Sequence, residues 1–124
     1  MTNIKISSVI IGVDTHKSTH VAVAIDANGS RLAALSAPAT TKGYKLLEDW
    51  ACALGAITAF GIEGTGSYGA ALSRHLLAQG HKVIEVTRPN RQLRYQHGKS
   101  DNLDAEGAAR SVLAGQAIAQ PKTQ

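Results

Sequence analysis

Short apolar runs separated by turn-forming residues predict three strands in the first third of the chain. Residues 9–13 form a continuous apolar run, which is typical of a strand buried on both faces. Apolar residues alternate with smaller ones over residues 21–25, and residues 32–35 begin and end with leucine. Between these two segments, Asn28 and Gly29 favour the positive backbone angles of a tight hairpin. The pattern therefore predicts an antiparallel meander of three strands.

The rest of the pattern predicts helices and strands in alternation. After Pro38, Thr40 or Thr41 suits the N-cap of a helix with apolar residues at helical spacing, and Gly55 suits its end. The order βββαβαβα predicts a mixed α/β domain. The later elements are a strand at about residues 57–62, a helix at about 68–78, a strand at 82–86 and a helix at about 101–113 that Gly115 ends.

Length and composition favour one modest domain. A chain of 124 residues, 44% hydrophobic but only 4% aromatic, can bury one aliphatic core. We expect this domain to span residues 1–115, with residues 116–124 as a polar tail or the start of a linker. Cys52 is the only cysteine, which excludes an intramolecular disulfide and a thiolate zinc cluster, and we expect it to pack within its helix. The absence of a signal peptide and of an apolar run of ~18 residues predicts a cytoplasmic protein.

A basic segment, residues 88–99, matters more than the net charge of +4. It contains Arg88, Arg91, Arg94 and Lys99 and no acidic residue. The three arginines recur at every third position, so in a helix they form one ridge that suits phosphate groups. A basic face that simply contacts water is the alternative explanation. The position of the segment directly before two acidic residues favours nucleic-acid binding.

Four acidic residues lie where a sheet edge would bring them together. Asp14 and Glu63 each end an apolar run, and Asp101 and Asp104, three positions apart, share one face at the start of the last helix. Carboxylate oxygens are the ligands that Mg²⁺ prefers. We therefore expect these side chains to bind Mg²⁺ or Mn²⁺ and to support phosphodiester chemistry, in which two ions hold the attacking and leaving oxygens.

Simpler explanations exist for these acids and for their polar neighbours. Asp101 and Asp104 also suit the N-cap and first turn of a helix, where negative charge favours the helix dipole. Asp14 and Glu63 also suit turns. His16 and Lys17 are candidates for phosphate contacts, but they also suit exposed loop positions. Glu106 is either a spare metal ligand or a solvated helix position. Structural roles are expected for His20, His75 and His81.

Residues 64–69 support a rival interpretation. They match Gly-x-Gly-x-x-Gly between a predicted strand and a helix, and Glu85 ends the next strand, as in a dinucleotide-binding domain of the Rossmann type. Two observations count against it. The predicted meander precedes the glycine motif, and Glu63 would place a negative charge beside a bound pyrophosphate. In a milder interpretation, the glycines let backbone or substrate approach Glu63 closely.

Three motifs follow one another along the chain: residues 12–17 (GVDTHK), 61–68 (GIEGTGSY) and 99–105 (KSDNLDA). In this order they resemble the DEDD-type insertion-sequence transposases, and the resemblance extends from about residue 9 to residue 113. Those transposases are DNA recombinases with a RuvC-like, ribonuclease-H-like catalytic domain. The resemblance implies that the catalytic and metal-binding tetrad is Asp14, Glu63, Asp101 and Asp104.

The same resemblance implies partners and a further domain. It implies that the protein binds the DNA ends of the element, target DNA and a structured bridge RNA that acts as guide. We expect the protein to be a homo-oligomer that associates with the nucleoid and does not contact the membrane. Lys17 and the basic residues Arg88, Arg91, Arg94 and Lys99 are the expected nucleic-acid contacts. A second, C-terminal domain is expected to supply a serine nucleophile, so we expect residues 1–124 alone not to complete recombination. A nucleic-acid-binding module without catalysis stays as another alternative.

Overall fold

The computed structural model describes residues 7–87 and 101–119, and within the last helix it describes the side chains of residues 103–115. The element order is the predicted βββαβαβα. No helix in these ranges is long and apolar enough to cross a lipid bilayer. The elements are β1 (Ser8–Thr15), β2 (Thr19–Asp26), β3 (Arg31–Pro38), α1 (Thr41–Leu54), β4 (Ala56–Glu63), α2 (Ala70–Ala78), β5 (Val83–Val86) and α3 (Asp101–Ala119).

The five strands form one mixed sheet in the order β3-β2-β1-β4-β5. β1, β2 and β3 are the predicted antiparallel meander, and Gly29 adopts a φ of 89° in the turn between β2 and β3. β4 pairs in parallel with β1, and β5 pairs in parallel with β4. β1 is therefore the central strand, and the carboxyl ends of β1, β4 and β5 lie along one edge of the sheet.

Helices cover both faces of the sheet, and each face buries an apolar core. α1 and α2 pack on one face against side chains such as Ile11, Phe60 and Ile62. Because both faces are covered, the apolar run of β1 is buried on both sides, as predicted. α3 packs on the second face, where the core consists of Ile10, Val21, Val23, Ile25, Ala59 and Val86 from the sheet with Ala105, Ala108, Ala109 and Val112 from the helix.

Two glycines allow α3 to approach the sheet closely. A Cβ atom added at Gly12 would overlap the carbonyl oxygen of Ala105, and one added at Gly61 would lie 2.5 Å from Cγ2 of Val112. At Gly12 the obstacle is helix backbone, which cannot move aside without displacing α3. The distance between α3 and the sheet is thus set by small residues on both surfaces.

α1 begins and ends at the predicted residues. Oγ1 of Thr40 accepts a hydrogen bond from the backbone nitrogen of Gly43 at 3.1 Å, and Gly55 follows the last helical residue. Ala51 lies on the buried face of this helix. Cys52 lies about 100° further around the helix and is exposed, so the prediction that it packs inside was wrong.

The ends of the other helices differ from prediction. α2 begins at Ala70 rather than near residue 68, because residues 64–69 form turns of their own. α3 continues through Gly115 to Ala119, so residues 116–119 extend the helix. A glycine inside a helix costs only about 1 kcal/mol relative to alanine, and the alanines around Gly115 favour the helical conformation.

Candidate active site

Asp14 and Glu63 lie next to each other at the carboxyl edge of the sheet, at the ends of the paired strands β1 and β4. Asp14 is paired with Val21 and Glu63 with Val86, and both valines belong to the core under α3. Because directly paired residues point to the same face, both carboxyl groups face the α3 side. Only 4% of Asp14 and 5% of Glu63 is exposed, so the two acids form a buried pair.

α3 brings a third carboxyl group to this edge. Gly12, two residues before Asp14, lies against the helix backbone at Ala105. Asp104, directly before Ala105, is half-buried, and its negative charge acts on Asp14. Asp101 is the first residue of α3, but its side chain lies outside the described residues. The described structure therefore pairs two of the four acids that the sequence singles out, and it places Asp104 near enough for its charge to act on Asp14.

The surroundings of Asp14 raise the pKa of its carboxyl group from 3.8 to about 6. Burial is the largest cause, because it disfavours the charged form. The charges of Asp104 and Glu63 also raise this pKa, whereas the charge and hydrogen bond of His16 lower it. A bound cation would favour the ionised form of such a carboxyl group, so the electrostatics of this edge suit a metal ion.

His16 contacts Asp14 directly. Its Nε2 lies 3.0 Å from Oδ2 of Asp14, within hydrogen-bonding distance. The backbone nitrogen of His16 donates to the carbonyl oxygen of Thr19 at 3.1 Å, which closes the turn between β1 and β2. The next residue, Lys17, is exposed. Lys17 is therefore accessible to an anionic ligand near Asp14.

The segment that follows Glu63 is a compact turn, which we call the glycine loop (residues 64–69). Oγ1 of Thr15 donates to the carbonyl oxygen of Glu63 at 2.9 Å and so joins the ends of β1 and β4. Gly64 has a φ of 74°, in the left-handed region that favours glycine. Its carbonyl oxygen accepts hydrogen bonds from the backbone nitrogens of Ser67 and Gly69. The loop therefore folds back on the end of β4, where an added Cβ at its last residue, Gly69, would lie 3.0 Å from Cγ2 of Ile62 in the core under α1 and α2.

Glu106 forms ion pairs instead of joining the acidic residues. Its Oε1 lies 2.9 Å from Nη2 of Arg31 on β3, and its Oε2 lies 2.8 Å from Nη2 of Arg110. Hydrogen bonds from Arg110 and Arg31 hold the pKa of the Glu106 carboxyl below its usual range. The sequence suggested that Glu106 is a spare ligand or a solvated helix position. Its ion pairs fit neither of these roles. It links α3 to the edge strand of the sheet.

A second polar cluster, which the sequence analysis did not identify, lies on the opposite face of the sheet. Glu48 of α1 is 8% exposed, and its two carboxylate oxygens lie 3.0 Å from Nε2 of His75 and 2.7 Å from Nε2 of His81. Burial alone would raise the pKa of Glu48, but the contacts with His81 and His75 outweigh it and lower that pKa. These histidines connect α2 and the start of β5 to α1, which is a structural role. His20 is also buried in this layer, stacked on Tyr44.

The ligands at the sheet edge suit a hard divalent cation. Asp14, Glu63 and Asp104 offer carboxylate oxygens, the ligands that Mg²⁺ and Mn²⁺ accept. Among the side chains that the structure describes, no three carboxylate, imidazole or thiolate groups are arranged to hold a metal ion by themselves. Mg²⁺ commonly binds one or two carboxylates and completes its coordination with water and phosphate oxygens. The buried pair therefore offers carboxylate oxygens in the number that such an ion commonly takes from a protein.

Comparison with known protein families assigns the whole domain. Residues 11–123 match the family model of the DEDD transposases of the IS110 type, described as transposase. This chain belongs to the DEDD transposases. A search among curated proteins found no match.

Membership of the DEDD transposases identifies the fold and the class of function. The five-stranded mixed sheet with its helices is the ribonuclease-H-like fold of the family, and the chain is the catalytic domain of a DNA transposase. Its macromolecular partner is DNA. The basic segment, with Arg88, Arg91, Arg94 and Lys99, lies outside the described residues.

The dinucleotide-binding alternative finds no support. Three of the five strands form an antiparallel meander, whereas a dinucleotide-binding domain of the Rossmann type has a mostly parallel sheet. The family match covers the glycine loop and Glu85 within a transposase. The milder interpretation of the glycines agrees with the compact turn beside Glu63.

Proposed function

We propose that this transposase domain supplies the metal centre for DNA strand cleavage and transfer, with Mg²⁺ or Mn²⁺ bound at the edge formed by Asp14 and Glu63. The observation that carries the proposal is the pair of buried carboxyl groups on neighbouring strands, both facing α3. The raised pKa of Asp14 supports it, because a bound cation would offset the cost of burying this charge. Asp101 and Asp104 complete the proposed tetrad from α3.

The residues of this chain contribute rigid positioning. Asp14 projects from the central strand, which is paired on both sides, so its carboxylate has a fixed base. Glu63 is held by the hydrogen bond from Thr15 to its backbone. Bound divalent ions would neutralise the phosphodiester and keep the attacking and leaving oxygens in line. The packing of α3 over this edge excludes water from the carboxyl groups, which strengthens their electrostatic interactions.

We also propose that basic residues hold the DNA backbone beside the buried pair. Lys17 is exposed three positions after Asp14. The basic segment directly precedes α3 in the sequence, and α3 carries Asp101 and Asp104. Phosphate contacts from arginine and lysine position a protein on DNA without reading its sequence. Recognition of the element ends by a guide RNA and assembly into a homo-oligomer are proposed on the family resemblance.

Calorimetry with Mn²⁺ tests the metal site. The wild-type chain should bind Mn²⁺, and Asp14→Asn should weaken binding by at least about tenfold, because an amide offers a weaker ligand than a carboxylate. Asp49→Asn is the matched control, since Asp49 is an exposed acid on α1 that pairs with Lys45. If the wild type does not bind Mn²⁺, or if both variants bind it equally well, the proposed metal site is wrong.

A further inference from the structure

His16 begins the short turn that follows β1, two positions after Asp14. Two backbone hydrogen bonds fix this turn. The backbone nitrogen of His16 donates to the carbonyl oxygen of Thr19 at 3.1 Å, and the backbone nitrogen of Ala39 donates to that of Ser18 at 2.9 Å. The turn is therefore tied to the start of β2 and to the end of β3. The His16 side chain starts from a defined backbone position beside the proposed metal site.

The contact between His16 and Asp14 uses one oxygen of the carboxyl group. Nε2 of His16 lies 3.0 Å from Oδ2 of Asp14. An ionised carboxylate has no proton to donate, so the imidazole donates this hydrogen bond and the carboxylate accepts it. Oδ1 stays outside the contact and is the oxygen that a metal ion can take. Holding Oδ2 also fixes the direction in which Oδ1 points.

The two side chains differ in exposure. Of the His16 side chain 46% is exposed, but of the Asp14 side chain only 5%. The imidazole therefore reaches a buried carboxyl group from the solvent side. A hydrogen bond donated to a carboxylate favours its ionised form, which is the form that binds a cation. The contact thus supports the orientation and the charge that a metal ligand needs.

We propose that His16 is a positioning residue of the metal centre, which holds Oδ2 of Asp14 and thereby directs Oδ1 at the divalent ion. The inference rests on the proposed function for the presence of that ion. Carboxylates that bind metal ions are commonly hydrogen-bonded by an outer partner, which keeps the ligand oriented. His16 supplies no ligand of its own in this role and acts through Asp14.

Calorimetry with Mn²⁺ tests the role of His16. His16→Ala should weaken Mn²⁺ binding by about tenfold, the lower end of the range for such outer partners, because His16 is half-exposed. His16→Gln should bind nearly as tightly as the wild type. The amide nitrogen of glutamine lies as many bonds from Cβ as Nε2 of histidine does, and it also donates a hydrogen bond. Ser18→Ala changes an exposed side chain in the same turn and should leave the affinity unchanged.

Thermal denaturation in the presence of a chelator separates positioning from a structural role. If His16 only stabilised the turn, His16→Ala would lower the thermal midpoint of the metal-free protein and the folded protein would bind Mn²⁺ normally. If His16 positions Asp14, the loss should appear in the Mn²⁺ affinity of the folded protein, and His16→Gln should restore it.

Several results would overturn the inference. His16→Ala could bind Mn²⁺ as tightly as the wild type, or more tightly, which would show that the imidazole competes with the ion for Asp14. Equal losses in His16→Ala and His16→Gln would show that the imidazole is itself a ligand. If the wild type binds no Mn²⁺, the proposed metal site fails and the role of His16 fails with it. If the wild type binds Mn²⁺ and His16→Ala binds it equally well, only the role of His16 fails.

Discussion

Asp14 is a carboxyl group in a place where its ionised form is disfavoured. Its pKa of about 6 lies far above the 3.8 expected of a solvated aspartate. The hydrogen-bonding contact with His16 reduces this penalty without removing it. A residue that lowers the stability of the metal-free fold and suits a bound cation is typical of a functional site, where such perturbed groups are concentrated.

Asp14→Asn should therefore stabilise the metal-free protein at neutral pH. The carboxyl group has a higher pKa when folded than when unfolded, so stability falls as the pH rises through the window from about 4 to about 6. The asparagine variant does not undergo this loss. After discounting for solvent screening, we expect a gain on the order of 1 kcal/mol, or a few degrees in the thermal midpoint. Thermal denaturation in the presence of a chelator at neutral pH and near pH 4 measures it.

The same experiment contains its own controls. The gain should disappear near pH 4, and Asp49→Asn, which changes an exposed acid, should show no comparable gain. Added Mn²⁺ should raise the midpoint of the wild type but not of Asp14→Asn, since a ligand that binds the folded state stabilises it. An Asp14→Asn variant that is less stable than the wild type without metal would contradict the account of this carboxyl group.

Among the elements, α3 has the strongest influence on the site. It carries Asp104, and its separation from the sheet depends on Gly12 and on the alanines that face it. The ion pair between Glu106 and Arg31 connects the same helix to the far strand of the sheet. Packing and electrostatics thus act together to position one helix over the carboxyl edge.

Gly12→Ala should destabilise the fold by about 3 kcal/mol or more, because the added methyl group would overlap the backbone of α3. It should also weaken Mn²⁺ binding, because α3 and Asp104 are displaced from Asp14. Gly115→Ala is the matched control: Gly115 lies in the same helix with open space around it, so the variant should gain up to about 1 kcal/mol. Chemical denaturation measures both variants. If Gly12→Ala were as stable as Gly115→Ala, the close packing at Gly12 would be unimportant for the stability of the fold.

Much of the fold follows from local sequence signals. The strands are short apolar runs, and Thr40 and Gly55 mark the ends of α1 as predicted. The end of α3 was not predictable from Gly115, because a single glycine is a weak helix terminator when its neighbours favour the helix. The start of α2 was also misplaced, because the turn hydrogen bonds to Gly64 are absent from any helical pattern.

The candidate site was predictable only in part. Asp14 and Glu63 were suggested by their positions at strand ends, and strand pairing places them side by side. The partners of Glu48 are 27 and 33 residues away, and Arg31 is 75 residues from Glu106. No local periodicity encodes contacts at such separations, so they became visible only in the folded chain.

For the molecule as a whole, charge controls the encounter with DNA. The chain carries a net charge of +4, and the basic segment concentrates arginine directly before α3. Replacing Arg88, Arg91 and Arg94 by glutamine should weaken DNA binding and reduce the slope of log affinity against log salt by about 3, because each lost phosphate contact releases about one counterion fewer. Titrations at several salt concentrations measure the slope. An unchanged slope would show that the three arginines only contact water.

α3 is also the last of the described elements to be synthesised. Until it leaves the ribosome, the face of the sheet that includes Ile10, Val23 and Ala59 lacks the helix that packs on it. Nascent proteins with uncovered apolar sheets are prone to aggregate. The carboxyl group of Asp104 arrives with the same helix. A single late event in translation therefore covers this apolar face and completes the proposed set of acidic residues, and a chain interrupted before α3 achieves neither.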